Sequence, residues 1–479
     1  MNKISYCTSL SLLALALVSC SSTSTKKSSE ASTSATIEKP KIQKKAQGEL
    51  EFKNILEPYP GLKIHEYVQS YNNLRVLLIP RKQNDTVGVV VAYSVGSRHE
   101  EINKTGLAHL FEHMMFRGTE SFPEPFKTLA QWGNQFNAFT SLDQTVYHEM
   151  IPSSVLENAL KFESERMRKL LITPQVFNTE RGAVVSERKL NFEDSPGGRL
   201  YWEMHQNAFD KHPYKTLPIG WQDDIEKASF EDALSFYHRY YAPNRAGLIL
   251  VGDFDIDKAK DLIQKYYGRF EPVLYPDPKT PKETMNKKLV KKTIGLKTQA
   301  AMIGDGILSP PQSDIDNAAA EAFYCVLLAD SSSGYLNHAL VEKGLARNVS
   351  SSCFPDVDTG LSMVRLGAIP GTKAAVLEKR YLDARKGFLT WLNTSRFENI
   401  KKYFETFQLE SLRDPMDLAS TLGSNLATAG DPLFTFKFFE KIKGLTLKDI
   451  EKRHAAWEST SRTRILIEAS DKNDPMKKQ

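Results

Sequence analysis

The segment His109-Leu110-Phe111-Glu112-His113 combines two imidazoles and a carboxylate at a spacing that suits a metal ion. Residues four apart in a helix lie one turn apart on the same face, so His109 and His113 can reach one ion. Glu112 lies on the flank of that face, where it can reach a water beside the ion. With 10 histidines in the chain, only about 0.01 matches to this pattern are expected by chance. The spacing therefore predicts a zinc site.

A catalytic zinc ion takes three protein ligands and keeps a fourth position for water. We predict Glu187 as the third ligand, within the helical stretch 178–187. Glu180 lies two turns earlier on the same face and could orient the site from behind the ligands. The competing interpretation is that both acids are solvated surface charges, and spacing alone does not decide between the two.

The elements that must position these residues repeat once along the chain. In each half, strand signals precede a helix, and a later helix and strand end the half. The first half has these segments at 74–79, 87–95, 107–116, 230–241 and 246–251, and the second half has them at 299–307, 316–328, 447–457 and 463–468. Thr105 is the predicted N-cap of the helix that carries the two histidines, and Gly118 lies just past its end. The repeat predicts a divergent duplication into two α+β domains.

Composition shifts place the predicted domain boundaries. The segments are a signal peptide at 1–19, a Cys and a flexible Ser/Thr/Lys tether at 20–47, a zinc-binding domain at 48–271, a Pro- and Lys-rich linker at 272–291, a second domain without a zinc motif at 292–470, and a polar tail at 471–479. The tether has too little apolar surface to repay the entropy of ordering it.

The N-terminus has the features of an export signal. The apolar run 10–18 is too short to span a bilayer but has the length of a signal-peptide core. It ends in Leu17-Val18-Ser19-Cys20, which resembles the bacterial lipoprotein signal box, so we expect cleavage before Cys20 and acylation of that residue. An ordinary secretory signal is the alternative. Ser21, with no Asp at that position, resembles the sorting default of Gram-negative lipoproteins, which implies the periplasmic face of the outer membrane.

The net charge and the cysteine content indicate which partners and which disulfide the chain can have. The net charge of +5 arises in residues 1–47, and the remainder carries 56 basic and 56 acidic side chains. A nucleic-acid binder should show a basic patch, so none is expected as a partner, and membrane contact is expected only through the N-terminal lipid. Cys325 and Cys353 remain after the predicted processing. They could form one disulfide, or Cys325 could be a buried free thiol.

Several ordered motifs identify a family. The order H-x-x-E-H is the inverzincin motif, and together with the downstream segments it resembles the pitrilysin/insulinase (M16) zinc metallopeptidases, especially the short bacterial and mitochondrial-processing members. The matching segments are 109–119, 136–147, 212–214, 219–221, 240–244 and 251–253. The resemblance covers about residues 60–255 well and the second half weakly.

The resemblance implies roles for the candidate residues. In that family two histidines and a distal glutamate bind one zinc ion per chain, which corresponds to His109, His113 and Glu187. The glutamate between the histidines is the general base, here Glu112, and the earlier acid of the distal helix corresponds to Glu180. Zinc and a base would together activate water for peptide hydrolysis.

The resemblance also implies a fold and a way of binding substrate. The expected fold is α+β, with two homologous mixed domains of the LuxS/MPP-like metallohydrolase type that form half of a clamshell. The Asn137-Ala138-Phe139 segment corresponds to a sheet edge that pairs with the substrate backbone. Free N–H and C=O groups at such an edge can add a peptide as an extra strand.

The second half departs from the family pattern. Self-sufficient members carry an Arg and a Tyr there that hold the substrate carbonyl, but this chain has Val341 and Arg347 at those positions. Valine cannot donate a hydrogen bond to an oxyanion, and losing one such donor costs about 2.7–4 kcal/mol in other enzymes. We therefore expect an M16-like partner subunit that supplies the Arg/Tyr pair. The alternative is that Arg347 or a neighbour substitutes and that a homodimer or monomer suffices.

A rival interpretation from another class is a non-catalytic scaffold or peptide-binding lipoprotein with the same fold, because fold alone does not establish activity. The presence of His109, Glu112 and His113 together favours the enzyme.

Overall fold

Two β-sheets, one from each half of the chain, organise the residues that the computed structural model describes, which are 48–82, 85–133, 135–283 and 289–476. The predicted signal peptide, the acylation site Cys20 and the tether lie outside these residues. Within them, no helix combines the length and the apolar character needed to cross a membrane.

The first sheet contains seven strands among the described residues, in the order β1-β2-β3-β7-β4-β6-β5. The strands are β1 Leu50–Leu56, β2 Ile64–Gln69, β3 Arg75–Pro80, β4 Thr86–Tyr93, β5 Gln135–Thr140, β6 Thr145–Pro152 and β7 Ala246–Gly252. Of these seven strands, β3 and β7 pair in parallel and the other neighbours are antiparallel. The central strand β7 is buried along its whole length, which is why its sequence is apolar without alternation.

The second sheet repeats this topology with five strands in the described part, in the order β10-β11-β9-β12-β8. The strands are β8 Val290–Lys297, β9 Met302–Leu308, β10 Asn348–Ser352, β11 Leu361–Gly367 and β12 Thr463–Ser470. The order matches β5-β6-β4-β7-β3 of the first sheet strand for strand, and the pair β8–β12 is parallel like β3–β7. The prediction of two homologous mixed domains is thereby confirmed.

Helices cover both sheets. In the first half they are α1 Leu107–Met114, α2 Pro125–Trp132, α3 Leu156–Arg168, α4 Pro174–Arg188, α5 Pro196–Ala208, α6 Gln222–Lys227, α7 Phe230–Tyr240 and α8 Ile256–Tyr267. In the second half they are α9 Ile315–Ala329, α10 Ala374–Arg385, α11 Phe388–Trp391, α12 Thr394–Ser411, α13 Pro415–Ala429, α14 Phe434–Lys443 and α15 Leu447–Ser459. The segments Lys189–Glu193 and Asn337–Val341 each form a π-helical turn.

The two halves exchange helices. Helix α13 from the second half packs on β4 and β7 of the first sheet, and α5 from the first half packs on β9 and β12 of the second. Small residues permit this approach, since a Cβ atom on Gly423 would lie 2.9 Å from Val90 Cγ1, and one on Gly304 would lie 2.9 Å from Met204 Sδ. Each sheet therefore buries one face under a helix of the other half.

The predicted N-cap of α1 is wrong. Gly106, with φ of +92°, precedes the helix, and the backbone N–H groups of Gly106 and Ala108 donate to the Glu100 carboxylate at 2.9 and 2.8 Å. Thr105 instead donates its hydroxyl to Asp224 Oδ2 at 2.7 Å. The carboxylate of Glu100, six residues before Gly106, therefore replaces the side-chain cap, and its acceptor oxygens lie at the positive end of the helix dipole.

One disulfide joins elements of the second half. Cys325 in α9 is bonded to Cys353 just after β10, with a separation of 28 residues. Of the two states that the sequence left open for these residues, the structure shows the disulfide.

Candidate metal centre

Helix α1 presents its polar face to α4. Its apolar positions, Leu107, Ala108, Leu110, Phe111 and Met114, are buried in the core of the first domain. The same periodicity leaves His109, Glu112 and His113 on the opposite side, partly exposed. Helix α4, capped at its start by the Thr173 hydroxyl, contacts α1 and brings Glu187 to the histidines.

The three candidate ligands converge on one point. Glu187 Oε2 lies 3.4 Å from His113 Nε2 and 3.9 Å from His109 Nε2. Ligand atoms at about 2.0–2.1 Å from a tetrahedral zinc ion stand about 3.4 Å apart. Two imidazole nitrogens and one carboxylate oxygen are also the donor set of known catalytic zinc sites. The residues present therefore fit a zinc ion.

Glu180 approaches the site from behind. Its Oε2 lies 3.4 Å from His113 Nδ1, on the side of the ring away from Glu187, and its other oxygen pairs with Arg117. The side chain is only 3% exposed. A carboxylate on the far nitrogen of a ligating histidine orients the ring and raises its basicity, which is the place predicted for Glu180.

The charges around the histidines favour a cation. Burial lowers the pKa of His113, but hydrogen bonds to Glu180 and Glu187 outweigh it and raise the pKa to about 10. Burial, assisted by the neighbouring His113, lowers the pKa of His109 to about 4. Two carboxylates, those of Glu180 and Glu187, therefore face the His113 ring, and the negative charge at this point favours binding of a cation.

Thr140 forms a hydrogen bond with Glu112 from across the site. Glu112 Oε2 accepts a hydrogen bond of 2.5 Å from Thr140 Oγ1 at the end of β5. Burial raises the pKa of Glu112 to about 7, although the bond from Thr140 opposes the shift. Glu112 is thus a carboxyl group held through one oxygen, and a carboxylate positioned in this way can act as a general base.

The predicted substrate-binding residues lie on an edge strand. Among the described strands, β5 is the last in its sheet and pairs with β6 alone. The Ala138 backbone N–H donates to its neighbour Asn137 Oδ1 at 2.9 Å, so this amide faces the free edge. Phe139 is partly exposed beside it. The strand ends at Thr140, which places the edge next to Glu112.

Sequence reasoning missed Thr140 and Arg117 as parts of the site. Both stand within the family-like segments, one directly after Phe139 and the other four residues after His113. Their partners, Glu112 and Glu180, lie on other elements, so no local pattern could have named them.

The segment that departs from the family pattern lies in the second domain. Val341 ends the second π-helical turn and packs partly buried against the second core, whereas the Arg347 side chain is exposed just before β10.

The chain matches two sequence families. Residues 75–217 match the family Insulinase (Peptidase family M16), and residues 227–393 match the family described as Peptidase M16 inactive domain. The first match contains all the candidate ligands, and the second contains the positions of the Val341 and Arg347 departures.

Individual relatives agree with these matches. The chain is 30% identical to the zinc protease PqqE of Helicobacter pylori over 363 residues, 73% of this chain and 81% of that protein. It is 30% identical to the probable zinc protease PqqL of Escherichia coli over 207 residues, which is 40% of this chain but 22% of that protein.

Solved structures show the same fold. A protease from Helicobacter pylori superposes with a TM-score of 0.79 at 24% identity, covering 85% of this chain and 99% of that one. The periplasmic protease PqqL from Escherichia coli gives 0.68 at 18% identity, covering 88% of this chain and 48% of that one. The expected fold class, two homologous domains that make up half of a clamshell, is confirmed.

Proposed function

Because the chain belongs to the insulinase family of M16 peptidases, we propose that it is a zinc-dependent endopeptidase that hydrolyses peptides or unfolded polypeptide segments. The observation that carries the proposal is the convergence of His109, His113 and Glu187 within ligand distance, with Glu112 beside them. Two of its relatives bear the names zinc protease PqqE and probable zinc protease PqqL, which supports the same activity.

The mechanism assigns a separate task to each side chain. Bound zinc supplies a Lewis acid that lowers the pKa of water to about 7. Glu112 accepts the proton of the attacking water and returns it to the leaving amine. Thr140 holds one oxygen of Glu112, so the other oxygen is directed to the reaction. Glu180 keeps the His113 ring in the orientation that a ligand needs.

The edge of β5 is the proposed docking place of the substrate backbone. Pairing there would use the outward amide of Ala138, with Asn137 and Phe139 on either side. Because β5 ends at the residue that contacts Glu112, the peptide groups of a strand added at this edge would lie next to the general base.

A partner subunit is part of the proposal. The chain covers 48% of the PqqL chain and 94% of the first half of that protein when the half is solved alone, so its size corresponds to one half of a two-half enzyme. We propose that an M16-like partner supplies the Arg/Tyr pair that Val341 and Arg347 replace. A homodimer is the alternative arrangement.

The proposed location is the cell envelope of a Gram-negative bacterium, at the periplasmic face of the outer membrane, with attachment through a lipid on Cys20. The Cys325–Cys353 disulfide supports export, because such bonds persist in oxidising compartments and are rare in the cytosol.

The second candidate function is a non-catalytic, peptide-binding scaffold. The match of residues 227–393 to an inactive domain favours it. Two contacts in the first domain disfavour the scaffold. Peptide binding alone requires neither a buried carboxylate behind a histidine nor a hydrogen bond from a threonine to Glu112.

The deciding experiment is cleavage of a quenched fluorescent peptide library by the purified chain without residues 1–20, beside Glu112→Gln. Cleavage that disappears in the variant, with zinc content unchanged, supports the endopeptidase and shows that one chain suffices. Bound zinc without cleavage, followed by cleavage when an M16-like partner is added, supports the two-subunit enzyme. Full activity in the variant removes Glu112 as base, and absence of zinc favours the scaffold.

A further inference from the structure

The C-terminal strap, which we define as residues 471–476, runs back along the outer edge of β8 after β12 ends. The Asp474 N–H donates to Gly295 O at 2.9 Å, and the Gly295 N–H donates to Asp474 Oδ2 at 2.7 Å. The Lys297 N–H donates to Asn473 Oδ1 at 2.7 Å. The strap therefore satisfies groups that an edge strand otherwise leaves open.

The other side of the strap contacts the first domain. The Asn473 side-chain amide donates to Asp194 Oδ1 at 3.2 Å, directly after the first π-helical turn. The guanidinium of Arg199, a residue only 2% exposed, donates to the backbone oxygens of Asp474 and Pro475 at 2.9 and 3.2 Å. The strap thus joins the edge of the second sheet to the segment between α4 and α5.

That segment continues from the third candidate ligand without interruption. The first π-helical turn, Lys189–Glu193, extends α4 directly after Glu187 and Arg188. Within it, the Asn191 amide donates to Glu187 Oε1 at 3.3 Å. The bond restrains one carboxylate oxygen and leaves Oε2, the oxygen near both histidines, for a ligand role.

Arg188 connects the strap to the same turn. Its Nε donates to Gly220 O at 2.9 Å, and its guanidinium pairs with Glu193. A third nitrogen lies 3.6 Å from Met476 Sδ, the last described residue of the strap. The side chain is buried over the rings of Trp202 and Trp221. The end of α4 is therefore held from both the core and the strap.

We propose that the C-terminal strap is a positioning element for the metal site: through the π-helical turn and Asn191 it sets the orientation of Glu187. The affinity of the first domain for zinc then depends on residues at the far end of the second domain. The inference rests on the proposed function, because it assigns Glu187 to the metal. Loss of a partner of this kind costs about 10–100-fold in metal affinity in other proteins.

The experiment measures the dissociation constant for zinc by competition with a chromophoric chelator, and the visible spectrum of the Co²⁺-substituted full chain. The variants are Asn191→Ala, Asn473→Ala, a stop after Ser470, and Asn191→Ala combined with that stop. Lys472→Ala is the matched control, because the Lys472 side chain is exposed and forms no ion pair among the described residues. Thermal unfolding of each metal-free variant reports stability separately.

We expect Asn191→Ala and the stop each to weaken zinc binding about 10-fold and to change the Co²⁺ spectrum. The combined variant should bind zinc no more weakly than whichever of the two separate variants binds it less tightly, since both changes act through one contact. Lys472→Ala should match the parent chain. If the chain truncated after Ser470 does not fold, Asn473→Ala takes its place in the comparison with Asn191→Ala.

Unchanged zinc affinity in every variant, with a lower melting temperature after the stop, would show that the strap only stabilises the fold and would overturn the inference. Independent, multiplying losses would equally contradict action through Asn191. If the parent chain itself binds no zinc, the proposed function fails instead, and the parent measurement distinguishes that case.

Discussion

The contact between Thr140 and Glu112 shows how single atoms decide what a carboxylate can do. One oxygen of Glu112 accepts the threonine hydroxyl, while burial raises the pKa of the group to about 7. Glu187 differs, since it offers an oxygen to both histidines and its pKa is lowered, with burial opposed by the His113 hydrogen bond and the histidine charges. Because Thr140 holds Glu112 and two imidazoles face Glu187, the two acids suit different roles, base and ligand.

Replacement of Glu187 by Gln should remove the metal. A neutral amide lacks the charge that completes the ligand set, so we expect zinc affinity to fall by at least about 100-fold and peptide cleavage to fall with it. Metal analysis after dialysis measures the first effect. Normal zinc content in Glu187→Gln would move the third-ligand role elsewhere, with Glu180 the first residue to test.

Replacement of Thr140 by Val should slow catalysis and leave the metal in place. Without the hydroxyl, Glu112 loses the hydrogen bond that fixes its orientation. We therefore expect kcat to fall about 10-fold, with unchanged zinc content. Thr140→Ser keeps the hydroxyl and should retain most activity. Equal losses in the Val and Ser variants would mean that the methyl group, and not the hydrogen bond, matters.

At the scale of elements, contacts between distant segments hold the helices that carry the site. Helix α1 starts at Gly106, supported by Glu100, and α4 ends in a π-helical turn that Arg188 and the strap hold. In the second domain the Cys325–Cys353 disulfide joins α9 to the end of β10. Each sheet also depends on a helix from the other half.

Removal of this disulfide should lower the free energy of unfolding and leave the zinc affinity of the metal site unchanged. Closing a loop of 28 residues stabilises a protein by about 3–4 kcal/mol in the chain-entropy account. We expect Cys325→Ala with Cys353→Ala to lower the free energy of unfolding by that amount, as measured by urea denaturation, with unchanged zinc affinity. The parent chain in excess reductant should behave like the variant, and a difference between them would contradict this account.

At the scale of the molecule, a polar junction links the two domains. The Val357 N–H donates to Asp143 Oδ2 at 3.2 Å, and the Asp358 N–H donates to the Tyr214 hydroxyl at 3.2 Å. The Tyr214 hydroxyl in turn donates to Asp143 Oδ1 at 2.7 Å, and Arg98 lies 3.3 Å from both Asp143 and Asp358. Asp143 stands three residues after Thr140, so the domain contacts and the site share one loop.

We expect this junction to respond to pH through Asp356. Burial, with repulsion from Asp143 and Asp358, raises the pKa of Asp356 well above its ordinary value. The folded state therefore binds the proton more tightly than the unfolded chain, and this contribution to stability is present at about pH 4 and lost as the pH rises. We expect Asp356→Asn to raise the melting temperature more at about pH 8 than at about pH 4. An equal shift at both values would contradict the assignment.

The predicted elements agree with the structure where local pattern is strong. The strand predicted at 246–251 is β7 Ala246–Gly252, and the helix predicted at 230–241 is α7 Phe230–Tyr240. The first is a continuous apolar run of strand length, and the second follows the helical period, so both can be recognised from local sequence. The Thr105 cap failed because Asp224, 119 residues away in sequence, competes for its hydroxyl. A local rule cannot weigh a partner that only folding supplies.

The sequence by itself determined the chemistry that one helix can hold, because His109, Glu112 and His113 are placed by the 3.6-residue period whatever surrounds them. It also identified the family and the duplication, since these depend on order along the chain. Only the tertiary structure decided that Glu187 reaches the histidines, that Thr140 meets Glu112, and that the strap reaches the turn after α4. Those distances join segments far apart in sequence, and the packing of whole elements sets them.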